Sequence, residues 1–185
     1  CTVIGFPNGY DTTAAKCFEA ADAVKNGASE VDMVINIGWV KDGLYDKVLE
    51  EIKAIKGHCD GRLLKVIIEC CFLTDEEKIK LCEIVTASGA DFIKTSTGKE
   101  SPAATPEAAY VMCQAIKEYF LETGRKVGFK PAGGINSVHD ALVYYTIVKE
   151  LLGEEWLTNE LFRLGTSRMA NLLLSDIVGS ETKFF

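Results

Sequence analysis

Lys94, in the run Phe92-Ile93-Lys94-Thr95-Ser96-Thr97-Gly98, is a lysine inside an apolar strand-like segment. Burial disfavours its ammonium form, and an amine kept partly neutral near pH 7 can attack a carbonyl carbon to form a Schiff base. A snorkelling or salt-bridged lysine would fit the same position. The Thr-Ser-Thr-Gly that follows argues for chemistry, because it adds hydroxyls and a turn just past the strand's C-terminal end. A second lysine, Lys130, ends the run Val127-Gly128-Phe129-Lys130 and precedes Pro131-Ala132-Gly133-Gly134-Ile135, with a helix expected from near Ser137. Diglycine lets backbone N–H groups close around an anion at a helix N-terminus, although a plain turn needs it too. Phe162-Arg163-Leu164-Gly165-Thr166-Ser167-Arg168 repeats the order of strand, glycine, hydroxyls and helix start.

Asp32, flanked by apolar residues in Glu30-Val31-Asp32-Met33-Val34-Ile35-Asn36, requires a partner. An ion pair with an inward lysine would satisfy it without excluding catalysis. Two lysines beside one carboxylate make a working set: the second cation lowers the nucleophile's pKa, and the carboxylate with that lysine can pass a proton. Lys65, in Leu63-Leu64-Lys65-Val66-Ile67-Ile68-Glu69, is expected to point the same way as a supporting charge. Asn8, in Phe6-Pro7-Asn8-Gly9, is as much a turn former as a ligand.

The elements that must position these side chains alternate along the chain. Short β-branched runs are expected as strands at Thr2–Gly5, Glu30–Ile37, Leu63–Glu69, Phe92–Thr95, Val127–Lys130 and Phe162–Leu164. Helical spacing of apolar residues marks Ala14–Lys25, Asp75–Ala87, Pro106–Glu122, Val138–Leu152 and Met169–Ile177. Thr74-Asp75-Glu76-Glu77 reads as a capping box, and Thr105-Pro106 as a capped start with proline at the first helical position. The joints around Gly27-Ala28 and Gly89-Ala90 both run from helix end to acid to strand.

Alternating βα units imply a parallel sheet with helical crossovers, either doubly wound or closed into a barrel. Period-two alternation places Asp32 with Asn36, Lys65 with Glu69, and Lys94 with Ser96 on one face, Lys130 beside them, and leaves Val31, Met33, Val66, Ile93 and Phe129 opposite. So many strands sharing a polar face favour a closed barrel, the TIM (β/α)8 barrel, of which six βα units are visible. Such a barrel takes about 250 residues. The chain opens at Cys1 inside an expected strand, so residues 1–185 read as one barrel domain lacking its first two units.

Composition narrows the partners. With 48% hydrophobic and 25% charged residues the chain can bury a core. Its net charge of −7 disfavours nucleic acid or an anionic membrane, and no stretch reads as a membrane span or signal peptide. Seven cysteines without a CxxC pair fit reduced thiols and a cytoplasmic setting. His58 and His139 lie far apart in polar contexts, and no metal site is expected.

Taken together, Phe6-Pro7-Asn8-Gly9, Glu30 to Asn36, Lys65-Val66-Ile67-Ile68-Glu69, Gly89 to Gly98 and Val127 to Gly134 resemble the deoxyribose-phosphate aldolases, class I aldolases on a (β/α)8 barrel. These motifs occur in family order and span nearly the whole chain up to about Ile177. The resemblance implies reversible cleavage of 2-deoxy-D-ribose 5-phosphate, with Lys94 forming the imine and Lys130 and Asp32 in proton transfer. It implies no cofactor and a small phosphorylated sugar as partner, and it is compatible with a homodimer. It assigns the substrate phosphate to Gly98, Lys99, Gly133, Gly134, Gly165 and Ser167. The family's first strands have no counterpart here, Arg168 stands where many members carry a small or hydroxylated residue, and Glu181 to Phe185 have no family match. A related sugar-phosphate aldolase with the same lysine logic, and an inactive barrel piece serving as a binding or dimerisation module, stay open as alternatives.

Overall fold

Five short strands lie side by side in chain order, every neighbouring pair parallel. The computed structural model describes residues 1–167 and 169–184. Its strands are β1 (Thr2–Ile4), β2 (Glu30–Val34), β3 (Leu63–Ile67), β4 (Phe92–Lys94) and β5 (Gly128–Lys130). Its helices are α1 (Thr13–Lys25), α2 (Ile37–Lys41), α3 (Tyr45–His58), α4 (Asp75–Ala87), α5 (Pro106–Thr123), α6 (Val138–Leu152) and α7 (Met169–Val178). Strand order separates the two expected architectures. A doubly wound sheet reverses direction at a switch point, whereas a barrel adds each strand to the same edge. Here the order never reverses, and the helices form one layer in which α1 meets α3, then α4, α5, α6 and α7 follow in turn. This is the wall of a (β/α) barrel.

The expected sixth strand, Phe162–Leu164, takes the next place beside β5, but only through isolated parallel bridges from Phe129 to Phe162 and from Ala132 to Gly165. Arg163 N–H donates to the Phe129 carbonyl (3.2 Å) and Gly165 N–H to the Pro131 carbonyl (2.8 Å). Pro131 has no N–H to return, so the ladder is interrupted there. The run expected as a strand to Ile37 stops at Val34, because the Asn36 side chain accepts the Trp39 N–H (3.2 Å) and turns the chain into α2. Leu44, the residue before helix α3, makes no side-chain cap, so no start signal announces the helix. The capping box at Thr74 and Glu77 is present, as is the Thr105 cap with Pro106 at the first turn.

Alternation along the strands creates two interiors. Val31, Met33, Val66, Ile93 and Phe129 join the helices in one apolar core. The alternate residues, Asp32, Lys65, Phe92 and Lys94, are buried on the lumen side. There the Phe92 ring lies against Gly128, where an added Cβ would come within 2.4 Å of ring atoms. Gly128→Ala should therefore lower the unfolding free energy by about 1–3 kcal/mol through overpacking. Urea denaturation checks this as a lower midpoint at constant slope, and an unmoved midpoint would show that the ring yields freely.

Candidate active site

Parallel register brings four charged side chains together. Lys65 on β3 stands beside Asp32 on β2, while Lys94 and Lys130 are register mates at the ends of β4 and β5. Asp32, only 1% exposed, shares its two oxygens unequally. Oδ2 accepts from Lys94 Nζ (2.8 Å) and Lys130 Nζ (2.7 Å). Oδ1 accepts from Lys65 Nζ (2.9 Å) and from the Cys1 thiol (3.2 Å).

The electrostatics follow from this geometry. Burial alone would raise the Asp32 pKa, but the charges and hydrogen bonds of Lys94 and Lys130 outweigh it and hold the carboxyl at about 2. Asp32 is an anion at neutral pH. Burial pushes the Lys94 amine below the ordinary lysine range; Asp32 opposes that shift, and the cations Lys130 and Lys65 add to it. The neutral form of a nucleophilic amine is thereby made more accessible.

Below the cluster, at the start of β2, Glu30 sits 2.6 Å from Lys65 Nζ and takes both arms of Arg163, at 3.0 and 3.3 Å. Glu30 is held below the usual carboxylate range, the lysine and arginine together overcoming the effect of burial.

Above it opens a cavity of about 1090 Å3 with Lys94 in its wall. All six residues expected to hold an anion, Gly98, Lys99, Gly133, Gly134, Gly165 and Ser167, line it. Two of these glycines sit where no Cβ fits: at Gly133, with φ +77, it would fall 2.8 Å from the Gly98 Cα and 2.7 Å from the Ala103 Cβ, and at Gly165 it would fall 2.5 Å from the Ala132 Cβ. Its N–H donates to the Gly165 carbonyl (3.1 Å), and the Gly165 N–H is committed to Pro131. These two glycines therefore shape the cradle by letting its loops touch, and their own N–H groups are used in stitching the loops together. Lys99 brings a cation to the wall, and α7 begins beside it, with Met169 lining the cavity. Arg168 lies outside the described residues. Glu181, Thr182 and Lys183 line the cavity too. That segment is tied to α7 by hydrogen bonds from Thr182 N–H to Ser175 Oγ (2.8 Å) and from Phe184 N–H to Asn171 Oδ1 (3.0 Å).

Spacing alone did not single out Glu30, Arg163, Glu69 or Thr97. Buried Glu69 adopts φ +52, a left-handed backbone uncommon for a non-glycine residue, and its carboxylate accepts both the N–H and the hydroxyl of Thr97. The turn after Lys94 is thus held from the end of β3. Buried Ser96 Oγ, next to it, has no hydrogen-bond partner among the described residues. Parity with Asp32 was the available signal for Glu30; nothing in the sequence shows what Arg163 or Thr97 would meet. Asn8 donates to the Tyr10 hydroxyl (3.1 Å) on the surface, and His58 and His139 are exposed.

Comparison with known proteins gives consistent results. Residues 2–150 match the family described as DeoC/LacD family aldolase. The chain is 50% identical to a deoxyribose-phosphate aldolase of Streptococcus agalactiae over 98% of its own length and 73% of that protein. Among solved structures, it resembles an aldolase called QR15, with 33% identity, 95% of this chain and 73% of that one covered, and a TM-score of 0.79. A deoxyribose phosphate aldolase from Aeropyrum pernix, described as tetrameric, is 27% identical, with 95% of this chain and 66% of that one covered and a TM-score of 0.72.

Proposed function

The chain belongs to the DeoC/LacD family of aldolases, and we propose that it cleaves 2-deoxy-D-ribose 5-phosphate to D-glyceraldehyde 3-phosphate and acetaldehyde through a Schiff base on Lys94. The observation that carries this reading is the sharing of one buried oxygen, Asp32 Oδ2, by Lys94 and Lys130 at the foot of a cavity edged by glycine loops.

In this mechanism the neutral Lys94 amine adds to the aldehyde carbon of the open-chain sugar, and loss of water gives an iminium. The iminium draws the C2–C3 bonding electrons toward nitrogen as the C3 hydroxyl gives up its proton. The three-carbon phosphate leaves as an aldehyde. The remaining enamine takes a proton at C2 and is hydrolysed to acetaldehyde, restoring the amine. Asp32 and Lys130, both within reach of Lys94, exchange these protons. The protonated imine is itself the electron sink. Lys99, the Gly134 and Ser167 loops and the N-terminus of α7 hold the phosphate, where cation and helix dipole both favour an anion. Lys65 stays a supporting charge beneath them.

Borohydride reduction in the presence of deoxyribose 5-phosphate, followed by peptide mapping, tests the assignment. A stable adduct on Lys94 is expected; no adduct, or one on Lys130 alone, would sink it. A cytoplasmic setting belongs to the same proposal, supported by seven cysteines that are all free, with no disulfide among them. Self-association is part of it as well, and light scattering would read a dimer or larger oligomer directly.

A further inference from the structure

The lumen cluster continues past Asp32. Lys65, on Oδ1, also reaches Glu30, and Glu30 meets Arg163 through both of its oxygens. Cation and anion alternate from Arg163 through Glu30, Lys65 and Asp32 to the pair Lys94 and Lys130. Arg163 and Lys65 both stand over the Phe92 ring, at 5.7 and 5.8 Å from its centroid. The chain of contacts draws on β2, β3, β4 and the segment after β5, so its length is set by the barrel and not by any one element.

We propose that Glu30, gripped by Arg163, is a positioning residue of the active site: it holds Lys65 to the Oδ1 side of Asp32 and so leaves Oδ2 to serve both Lys94 and Lys130. The inference rests on the reading of Lys94 as the Schiff-base lysine. An ammonium has three donors, and those of Lys65 face Glu30, Asp32 and the Cys1 sulfur at 3.4 Å. Without the Glu30 carboxylate, Lys65 has Asp32 as its one remaining anion among the described residues and draws on charge that otherwise serves Lys94. The field at Lys94 then becomes more positive. Removing the Arg163 charge acts in the opposite sense, because Glu30 then counts in full and the field becomes more negative.

The other charged groups facing Lys94 are Asp32, Lys65 and Lys130 from β2, β3 and β5. Lys99, Glu181 and Lys183 stand along the cavity wall, and Glu69 lies behind Thr97. Neither change touches Lys99, Glu181, Lys183 or Glu69. Barrel residues at the N-terminal face of the strands ordinarily serve stability. A purely structural Glu30 would lose folding when altered, without a signed effect on titration.

The rate at which cyanoborohydride fixes acetaldehyde onto Lys94 separates the two roles. Only the neutral amine attacks, so trapping rises with pH through the titration of Lys94. In Glu30→Gln the rise should move to lower pH by roughly 0.5–1 unit, and in Arg163→Met to higher pH by a smaller amount. Glu30→Asp, which keeps the charge, should stay near the unaltered position. Shifts of the same sign, or no shift in either variant, overturn the proposal. If Glu30→Gln does not fold, Arg163→Met decides alone: a downward or absent shift overturns it. An unaltered chain that forms no Lys94 adduct at any pH removes the aldolase reading itself, and this proposal with it. An adduct that forms without opposed shifts removes this proposal alone.

Discussion

Lys94→Arg should cut cleavage of 2-deoxyribose 5-phosphate by at least about ten-thousand-fold while leaving phosphate binding close to its original strength. The substitution keeps a cation where Asp32 needs one, since a guanidinium can take the place of the ammonium on Oδ2. The lumen therefore stays charge-balanced and folded. What is lost is the lone pair: arginine does not deprotonate in proteins, so no imine can form. Phosphate affinity should survive because the substitution keeps the charge at position 94 and leaves Lys99 and the glycine loops of the cavity wall in place. Turnover is read as release of glyceraldehyde 3-phosphate, binding as calorimetric titration with inorganic phosphate. Activity within a hundred-fold of the unaltered chain would mean that Lys94 is an ion-pair lysine and nothing more.

Much of this site could be read before the fold was known, for a physical reason. A charged residue in an apolar strand is costly enough to need an explanation, so Lys94, Asp32, Lys65 and Lys130 stand out one at a time. Period-two alternation then tells which of them share a face. The element boundaries were harder. Ile35 and Ile37 look like further strand, and only the Asn36 cap on Trp39 turns the chain into α2. The apportioning of Asp32's two oxygens was out of reach, because it depends on register between strands more than thirty residues apart. Glu30 and Arg163 are separated by 133 residues and meet across the lumen, a pairing that no local pattern encodes. Glu69 is similar: its left-handed backbone and its hold on Thr97 arise where β3 ends beside β4.

The glycines show the same division. In the sequence the Gly133-Gly134 pair suggests an anion cradle through the freedom of its N–H groups, and Gly165 through the order of strand, glycine, hydroxyls and helix start. In the structure the Gly133 and Gly165 N–H groups are bound to backbone carbonyls, and what the loops require at those positions is absence of a side chain. A small residue can be demanded by space or by hydrogen bonding, and only coordinates distinguish the two. The cavity still collects every residue named for it, because the loops after β4 and β5 and after Phe162–Leu164 open on the same end of neighbouring strands.

Asp32→Asn is expected to cost about 3–5 kcal/mol of stability at neutral pH and to lower turnover by roughly a hundred- to ten-thousand-fold. Three ammonium groups converge on this carboxylate. A neutral amide offers them a single oxygen and turns an N–H2 donor toward other donors, leaving buried positive charge without a counter-ion. The pH dependence gives the sharper test. A carboxyl whose pKa falls from 3.8 to about 2 on folding contributes about 2 kcal/mol, present in full above about pH 5 and lost as pH drops through the folded value. The asparagine variant has no proton to take up there, so its stability should fall less steeply in acid. Urea unfolding at pH 6 and pH 3 would then show the gap between the two proteins closing by about 1 kcal/mol. A gap that stayed constant would mean that the lysines do not hold Asp32 ionised, and the proton-transfer role built on that charge would fall with it.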